Sequence, residues 1–186
     1  MSKILICGDS FAADWSKKYN SIGWVNMIEN DHIITNIAEA GVSEYKIYKQ
    51  LQSVNTDKFD KIIVSHTSPY RIPIKEHPIH SKDILHYNCD LIYSDLKEHE
   101  DNHLVKSAID FYENLYDMDY ACFIHDLIIK EINHKYTNLI NITFFSMNKN
   151  MYNFEDVFLK NKGLINHMND NGNKIIYNKI KKIINE

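Results

Sequence analysis

Two side chains of this chain stand where one could attack a carbonyl and the other take its proton. Ser10 closes the tripeptide Gly8-Asp9-Ser10, directly after the strand-like run Lys3-Ile4-Leu5-Ile6-Cys7. Open α/β sheets keep their ligand crevice outside the carboxyl ends of the strands. A strand–Gly–x–Ser–helix junction therefore sets the hydroxyl in that crevice. The start of the following helix would add N–H groups and a favourable dipole for a developing oxyanion. His167 lies just before the last helical segment, in Asn166-His167-Met168-Asn169-Asp170-Asn171-Gly172. An early serine and a late histidine, each beside a regular element, can meet as nucleophile and general base. The plain alternatives are a serine that caps a turn and a structural histidine.

Two further stretches belong to the same crevice. Gly41 follows the second strand-like run, in Asn36-Ile37-Ala38-Glu39-Ala40-Gly41-Val42-Ser43. A glycine there lets a backbone N–H approach a substrate oxygen with no side chain in the way; an ordinary positive-φ turn would also explain it. The segment after the third strand, Ser65-His66-Thr67-Ser68-Pro69-Tyr70-Arg71, brings hydroxyls, an imidazole and a guanidinium to that sheet edge.

The elements that must hold these residues alternate along the chain. Lys3–Cys7, Asp31–Ile37, Phe59–Ser65 and Leu139–Phe145 read as strands. Apolar helical spacing marks Ser21–Asn30, a Ser43-capped helix to about Val54, and a long stretch from Leu104 to Tyr136 with a break near Tyr116–Asp119. Residues 146–166 read mostly as loop, and Asn169–Asn185 as a closing amphipathic helix. Strands alternating with helices predict βαβ units and a three-layer α/β/α, doubly wound parallel sheet. Pro69, Pro73 and Pro78 break the pattern. The segment from Tyr70 to about Asn102 reads as an insertion over the carboxyl edge of the sheet. The expectation is one domain over residues 1–186, with an insertion or lid at about 70–103.

Composition narrows the partners. With 186 residues the chain suits one domain with a real core. A net charge of −4 argues against nucleic acid or an anionic membrane as the main partner. No apolar run approaches the roughly 18 residues of a membrane span. Met1-Ser2-Lys3 runs straight into the first strand and leaves no room for a signal peptide, so a cytoplasmic location is expected. Cys7, Cys89 and Cys122 show no CxxC or zinc spacing and read as small core residues.

Taken in order, these stretches resemble the SGNH hydrolases, the GDSL-type esterase and lipase superfamily. Gly8-Asp9-Ser10-Phe11 is similar to the family's first block, with its nucleophile. Asn36-x-Ala38-x-x-Gly41-x-Ser43 is similar to the second, whose glycine donates to the oxyanion. His167-Met168-Asn169-x-x-Gly172-Asn173 is similar to the fifth. The resemblance implies a flavodoxin-like fold and a serine hydrolase that needs no cofactor. Its catalytic residues would be Ser10 and His167, and its oxyanion hole Ser10, Gly41 and Thr67. The implied substrate is a carboxylic ester, an O-acyl (acetyl) group on a carbohydrate.

Two positions depart from the family pattern. Thr67 falls where the family has an oxyanion-binding asparagine, which leaves room for Arg71 or His66 to contribute. Leu164 falls where the family has an aspartate, three residues before the histidine. The pair is then a Ser–His dyad, or the ring is oriented by a backbone carbonyl, Asp156 or Asp170. Loss of an orienting acid can cost on the order of 10⁴ in turnover. A catalytically weak or inactive binding protein for a glycan or acylated ligand is thus the second reading.

The segment 70–103 is rich in histidine: His77, His80, His86, His99 and His103. His99-Glu100-Asp101-Asn102-His103 matches a His-Glu-x-x-His string. Its surroundings are highly polar, unlike an apolar helix that buries a zinc, so no metal is expected. A lid or specificity loop is the expectation instead, with Tyr70, Tyr87, Tyr93, Tyr112 and Tyr116 available to line a carbohydrate site or to pack as ordinary half-buried aromatics.

Overall fold

Alternate residues of the first strand serve opposite faces of the sheet. Ile4 and Ile6 join a core with Ile63, Ile140 and Ile142. Leu5 and Cys7 join another with Ile62 and Val64. A strand buried on both faces belongs in the interior of a parallel sheet, and the computed structural model, which describes residues 1–148 and 150–186, places it there. The strands are β1 (Lys3–Gly8), β2 (Ile33–Asn36), β3 (Lys61–His66), β4 (Leu139–Thr143) and β5 (Tyr152–Asn153). They lie in the order β2-β1-β3-β4-β5, all parallel. The order reverses between β1 and β3, where such sheets open their crevice. Gly8 pairs with Ser65, so Ser10 emerges at that point.

Helices cover both faces. α1 (Trp24–Ile28) and α7 (Asp170–Ile184) pack over the side of Ile4 and Ile6, with Ile176, Ile180 and Ile184 one turn apart on the inner face of α7. α2 (Glu44–Gln52) and α5 (Met118–Lys135) cover the side of Leu5 and Cys7 through Ile47, Leu51 and Ile132. α3 (Tyr93–Leu96) and α4 (His103–Asn114) enclose a small core of Leu96, Val105 and Ile109. Among the described residues, no helix is long and apolar enough to cross a membrane.

Two expectations change. No α-helix begins at Ser10: the Asp9 carbonyl accepts from Ala12 and Ala13 N–H in a turn, and the next helical element among the described residues is a 3₁₀ turn, Trp15–Lys17. Any oxyanion at Ser10 therefore gains no helix dipole from that side. The stretch 146–166 is not mostly loop; it holds β5, α6 (Glu155–Lys160) and β6 (Lys162–Ile165). These pieces are too short for periodicity to show. The break expected near Tyr116–Asp119 is present: α4 ends at Asn114, and Asp117 accepts from Tyr120 N–H at 2.9 Å to start α5 afresh.

The segment 70–102 lies against the turn that carries Gly41. Ala40 N–H donates to Leu85 O at 3.2 Å, Asp90 N–H donates to Gly41 O at 3.0 Å, and Ser43 N–H donates to the Asp90 carboxylate at 2.7 Å.

Candidate active site

The turn that presents Ser10 is fixed from three directions. Gln50 of α2 reads both backbone groups of Gly8, accepting from its N–H at 2.8 Å and donating to its carbonyl at 3.1 Å. The Ser10 carbonyl accepts from Trp15 Nε1 at 2.8 Å and from Asn166 Nδ2 at 3.3 Å. Gly8 has φ +147°, and a Cβ there would stand 2.6 Å from the Cβ of Ser65, so no larger residue lets β1 and β3 close at this point.

His167 reaches the same place from the far end of the chain. Asn166 and His167 both sit in the left-handed region, at φ 48° and 63°. Such residues cost on the order of 1–2 kcal/mol each and need support. Asn173 of α7 supplies it: fully buried, it donates through Nδ2 to the carbonyls of Ile165, Met168 and Asn169 and accepts from Trp24 N–H. The result brings His167 Nε2 to 2.7 Å from Ser10 Oγ.

No acid orients that ring. Among the described residues nothing hydrogen-bonds its Nδ1; Leu164, Asp156 and Asp170 are all exposed and do not meet it. Aromatic rings hold it instead. Phe11 packs at 4.6 Å between centroids, Trp15 edge-on at 5.8 Å and Phe158 edge-on at 6.4 Å. Burial, with help from the positive charges of Arg71 and His86, lowers its pKa to about 4. The ring is neutral at pH 7, and in the tautomer that carries its proton on Nδ1 its Nε2 accepts from Ser10 Oγ.

Asp9, unremarked in the sequence, is the hub beneath the site. Its buried carboxylate accepts from Phe11 N–H (3.1 Å), Ser65 Oγ (3.4 Å), Thr67 Oγ1 (3.0 Å) and Arg71 Nη2 (3.1 Å). Burial pushes the carboxyl upward in pKa, and Arg71 pulls it back. Arg71 also donates to Val42 O at 2.6 Å and so ties the Gly41-Val42 turn to Asp9. Signals for this hub were present in the sequence only as a carboxylate and an arginine at two strand ends.

The expected oxyanion donors divide. Ser10 N–H and Gly41 N–H donate to no group among the described residues. Gly41 has φ +78° and faces Cys89 closely, where a Cβ would meet Cys89 Cβ at 2.5 Å. Thr67 is a correction: its hydroxyl proton goes to Asp9, which removes it as a donor in this arrangement. His66 is likewise occupied, fully buried between Glu44 (2.7 Å) and Asn141 (2.9 Å), in a network that extends to His125.

The histidines of the 70–103 segment form no zinc helix. His99 ends a 3₁₀ turn, and Asn102 caps α4 at His103, so the two rings do not share a helix face. His77, His80 and Asp95 do converge, with Asp95 Oδ2 at 3.8 Å and 3.0 Å from the two Nε2 atoms. Yet His77 Nδ1 accepts from the N–H groups of Ile79 and His80. A bare Nδ1 leaves the proton on Nε2, so in this arrangement that atom has no lone pair to offer a metal, and at 3.8 Å it makes no hydrogen bond to Asp95. Cys7 and Cys89 are buried free thiols; burial pushes both up in pKa, Cys89 to about 12.

No family model matches the chain, and a search of curated proteins finds no match either.

Proposed function

We propose that the protein is a serine esterase. Ser10 Oγ attacks the carbonyl carbon of a carboxylic ester while His167 Nε2 accepts its proton. The observation that carries this reading is the 2.7 Å contact between these atoms across 157 residues of chain. The N–H groups of Ser10 and Gly41 hold the oxyanion, both being unengaged among the described residues. Arg71, anchored between Asp9 and Val42, ties down the turn that carries the Gly41 N–H. His167 then returns the proton to the alcohol oxygen. The C–O bond breaks, the alcohol leaves and the acyl group remains on Ser10. Water, giving its proton to the same ring, attacks the acyl-enzyme, and Ser10 leaves protonated. The SGNH resemblance supports this assignment of roles and suggests a carbohydrate as the alcohol.

The unpartnered Nδ1 favours a second reading, an inactive binder of a glycan or acylated ligand in the same crevice. Hydrolysis of p-nitrophenyl esters by the wild type and by Ser10→Ala separates the two. Turnover that vanishes in the variant supports the esterase. Absence of turnover, with an acylated sugar held in the crevice, supports the binder.

A further inference from the structure

A cleft of about 570 Å³ is lined by Tyr70, Ile92, Tyr93, Tyr112, Tyr116 and Phe145, with Arg71 also on its wall. Its size falls within the range of small-molecule sites, roughly 300–1,000 Å³. Two of its residues join it to the catalytic pair. Arg71 bonds the carboxylate of Asp9, the neighbour of Ser10. Phe145 meets Phe11 edge-on at 5.7 Å, and Phe11 packs on His167.

The chemistry of the walls selects the ligand. A sugar needs hydrogen-bond partners on the walls around it, and three of the four cleft tyrosines, Tyr93, Tyr112 and Tyr116, already spend their hydroxyl protons within the protein. The single hydroxyl proton of Tyr112 lies between the carbonyls of Leu91 (2.7 Å) and Tyr70 (3.1 Å). Tyr93 donates to Glu113 at 2.6 Å, and Tyr116 donates to Pro69 O at 3.4 Å. The Tyr70 oxygen faces Cys122 Sγ at 4.0 Å. Glu113 itself is paired with Lys97 at 2.8 Å. What the cleft shows to a ligand is mostly ring and aliphatic carbon, with Ser68, Ser94, Glu113 and Arg71 as its polar points. A pyranose would lose hydrogen bonds to water there without replacement, whereas an alkyl chain or an aryl ring would gain burial.

We infer that this cleft takes the acyl arm of the ester, and that the arm is an apolar chain or ring larger than acetyl. The inference rests on the esterase reading for its orientation, with the carbonyl at Ser10 and the chain running past Phe145 toward Tyr93. The carbohydrate suggested by the resemblance is then confined to the alcohol side.

The test is kcat/KM on p-nitrophenyl acetate, butyrate and octanoate for the wild type, Ser10→Ala and Ser94→Trp. Ser94 is exposed on the cleft rim in α3, so a tryptophan there fills the cleft without entering a core. The expected result is a rise of at least about tenfold from acetate to octanoate, with that octanoate-to-acetate ratio collapsing toward one in Ser94→Trp. Ser10-dependent hydrolysis that is flat or falls with chain length overturns the inference and leaves the esterase reading standing. Hydrolysis by no Ser10-dependent route overturns the esterase reading; the cleft is then judged by binding of sodium octanoate, followed by the NMR signals of Met118 and the cleft tyrosines. Shifts on titration that are absent in Ser94→Trp support an apolar-chain site, and no shifts overturn it.

Discussion

The ring of Phe11, next in sequence to Ser10, lies 4.6 Å from the ring of His167 between centroids. One short segment thus supplies the nucleophile and the surface against which its base rests. An orienting carboxylate would fix the ring by a hydrogen bond at Nδ1 and stabilise the imidazolium. Apolar packing fixes orientation alone and penalises the charged form. The physical consequence is a base that is well placed, fully neutral at pH 7 and weak.

That weakness sets a pH profile. A catalytic histidine acts when neutral, and burial lowers this one from 6.5 to about 4. The value of kcat/KM is therefore expected to hold its plateau through pH 6.5 and to fall only as pH drops through about 4. Between those values the unfolded chain binds a proton at this position that the folded chain does not, so stability rises with pH there. His77, also lowered to about 4 by burial, adds to the same slope. A pH–rate profile and urea melts at pH 4.5 and 6.5 check both signs.

Asn173 is expected to be the costliest single loss near the site. Asn173→Ala takes this partner from Trp24 N–H and from the Ile165 and Met168 carbonyls in a buried turn, while Asn169 O keeps the backbone N–H of residue 173. Each buried group left unmade costs about 1–3 kcal/mol. A net loss of roughly 3 kcal/mol in chemical denaturation is predicted. Activity at 25 °C should fall further than the folded fraction, because the left-handed turn at His167 loses its support.

Asp9→Asn tests the hub. The change keeps size and removes the charge that pairs with Arg71 inside the protein. Breaking a buried pair on one side costs about 3–5 kcal/mol. The prediction is destabilisation of that order, together with weaker catalysis from loosening of the Gly41-Val42 turn that Arg71 ties down.

Gly41→Ala adds a Cβ at 2.5 Å from Cys89 Cβ and at φ +78°. It should displace the turn and lower kcat by at least about tenfold with little change in KM, since the donor it misplaces acts on the developing oxyanion. Adding Cys89→Gly should recover part of the loss by opening the space. A KM effect of equal size would assign Gly41 to ground-state binding instead.

How much of this was legible in the sequence follows from what each signal depends on. The β-branched run Lys61-Ile62-Ile63-Val64 and the alternating Ile4-Leu5-Ile6-Cys7 announce buried strands by local pattern, and both stand within two residues of the expected bounds. β5 has two residues and α6 has six, below any period that a sequence window resolves. The Ser10–His167 pairing was readable because each residue stands at the end of a patterned element. The role of Asp9 was not, because its partners Ser65, Thr67 and Arg71 are brought to it only by the β1–β3 register. The same register explains why Thr67, a reasonable oxyanion donor on paper, turns its hydroxyl inward. That the base would be held by Phe11, Trp15 and Phe158 has no local signature at all; aromatic residues at these positions look like ordinary core.

The central claim is that Ser10 is a nucleophile activated by His167. The most direct measurement is labelling with a broad fluorophosphonate, located by peptide mass spectrometry, on the wild type and on His167→Ala with folding verified by circular dichroism. The account predicts adduct on Ser10 in the wild type, slowed by on the order of 10³-fold or more without His167. Folded wild-type protein that takes no label at Ser10, or labels equally fast without His167, would contradict it.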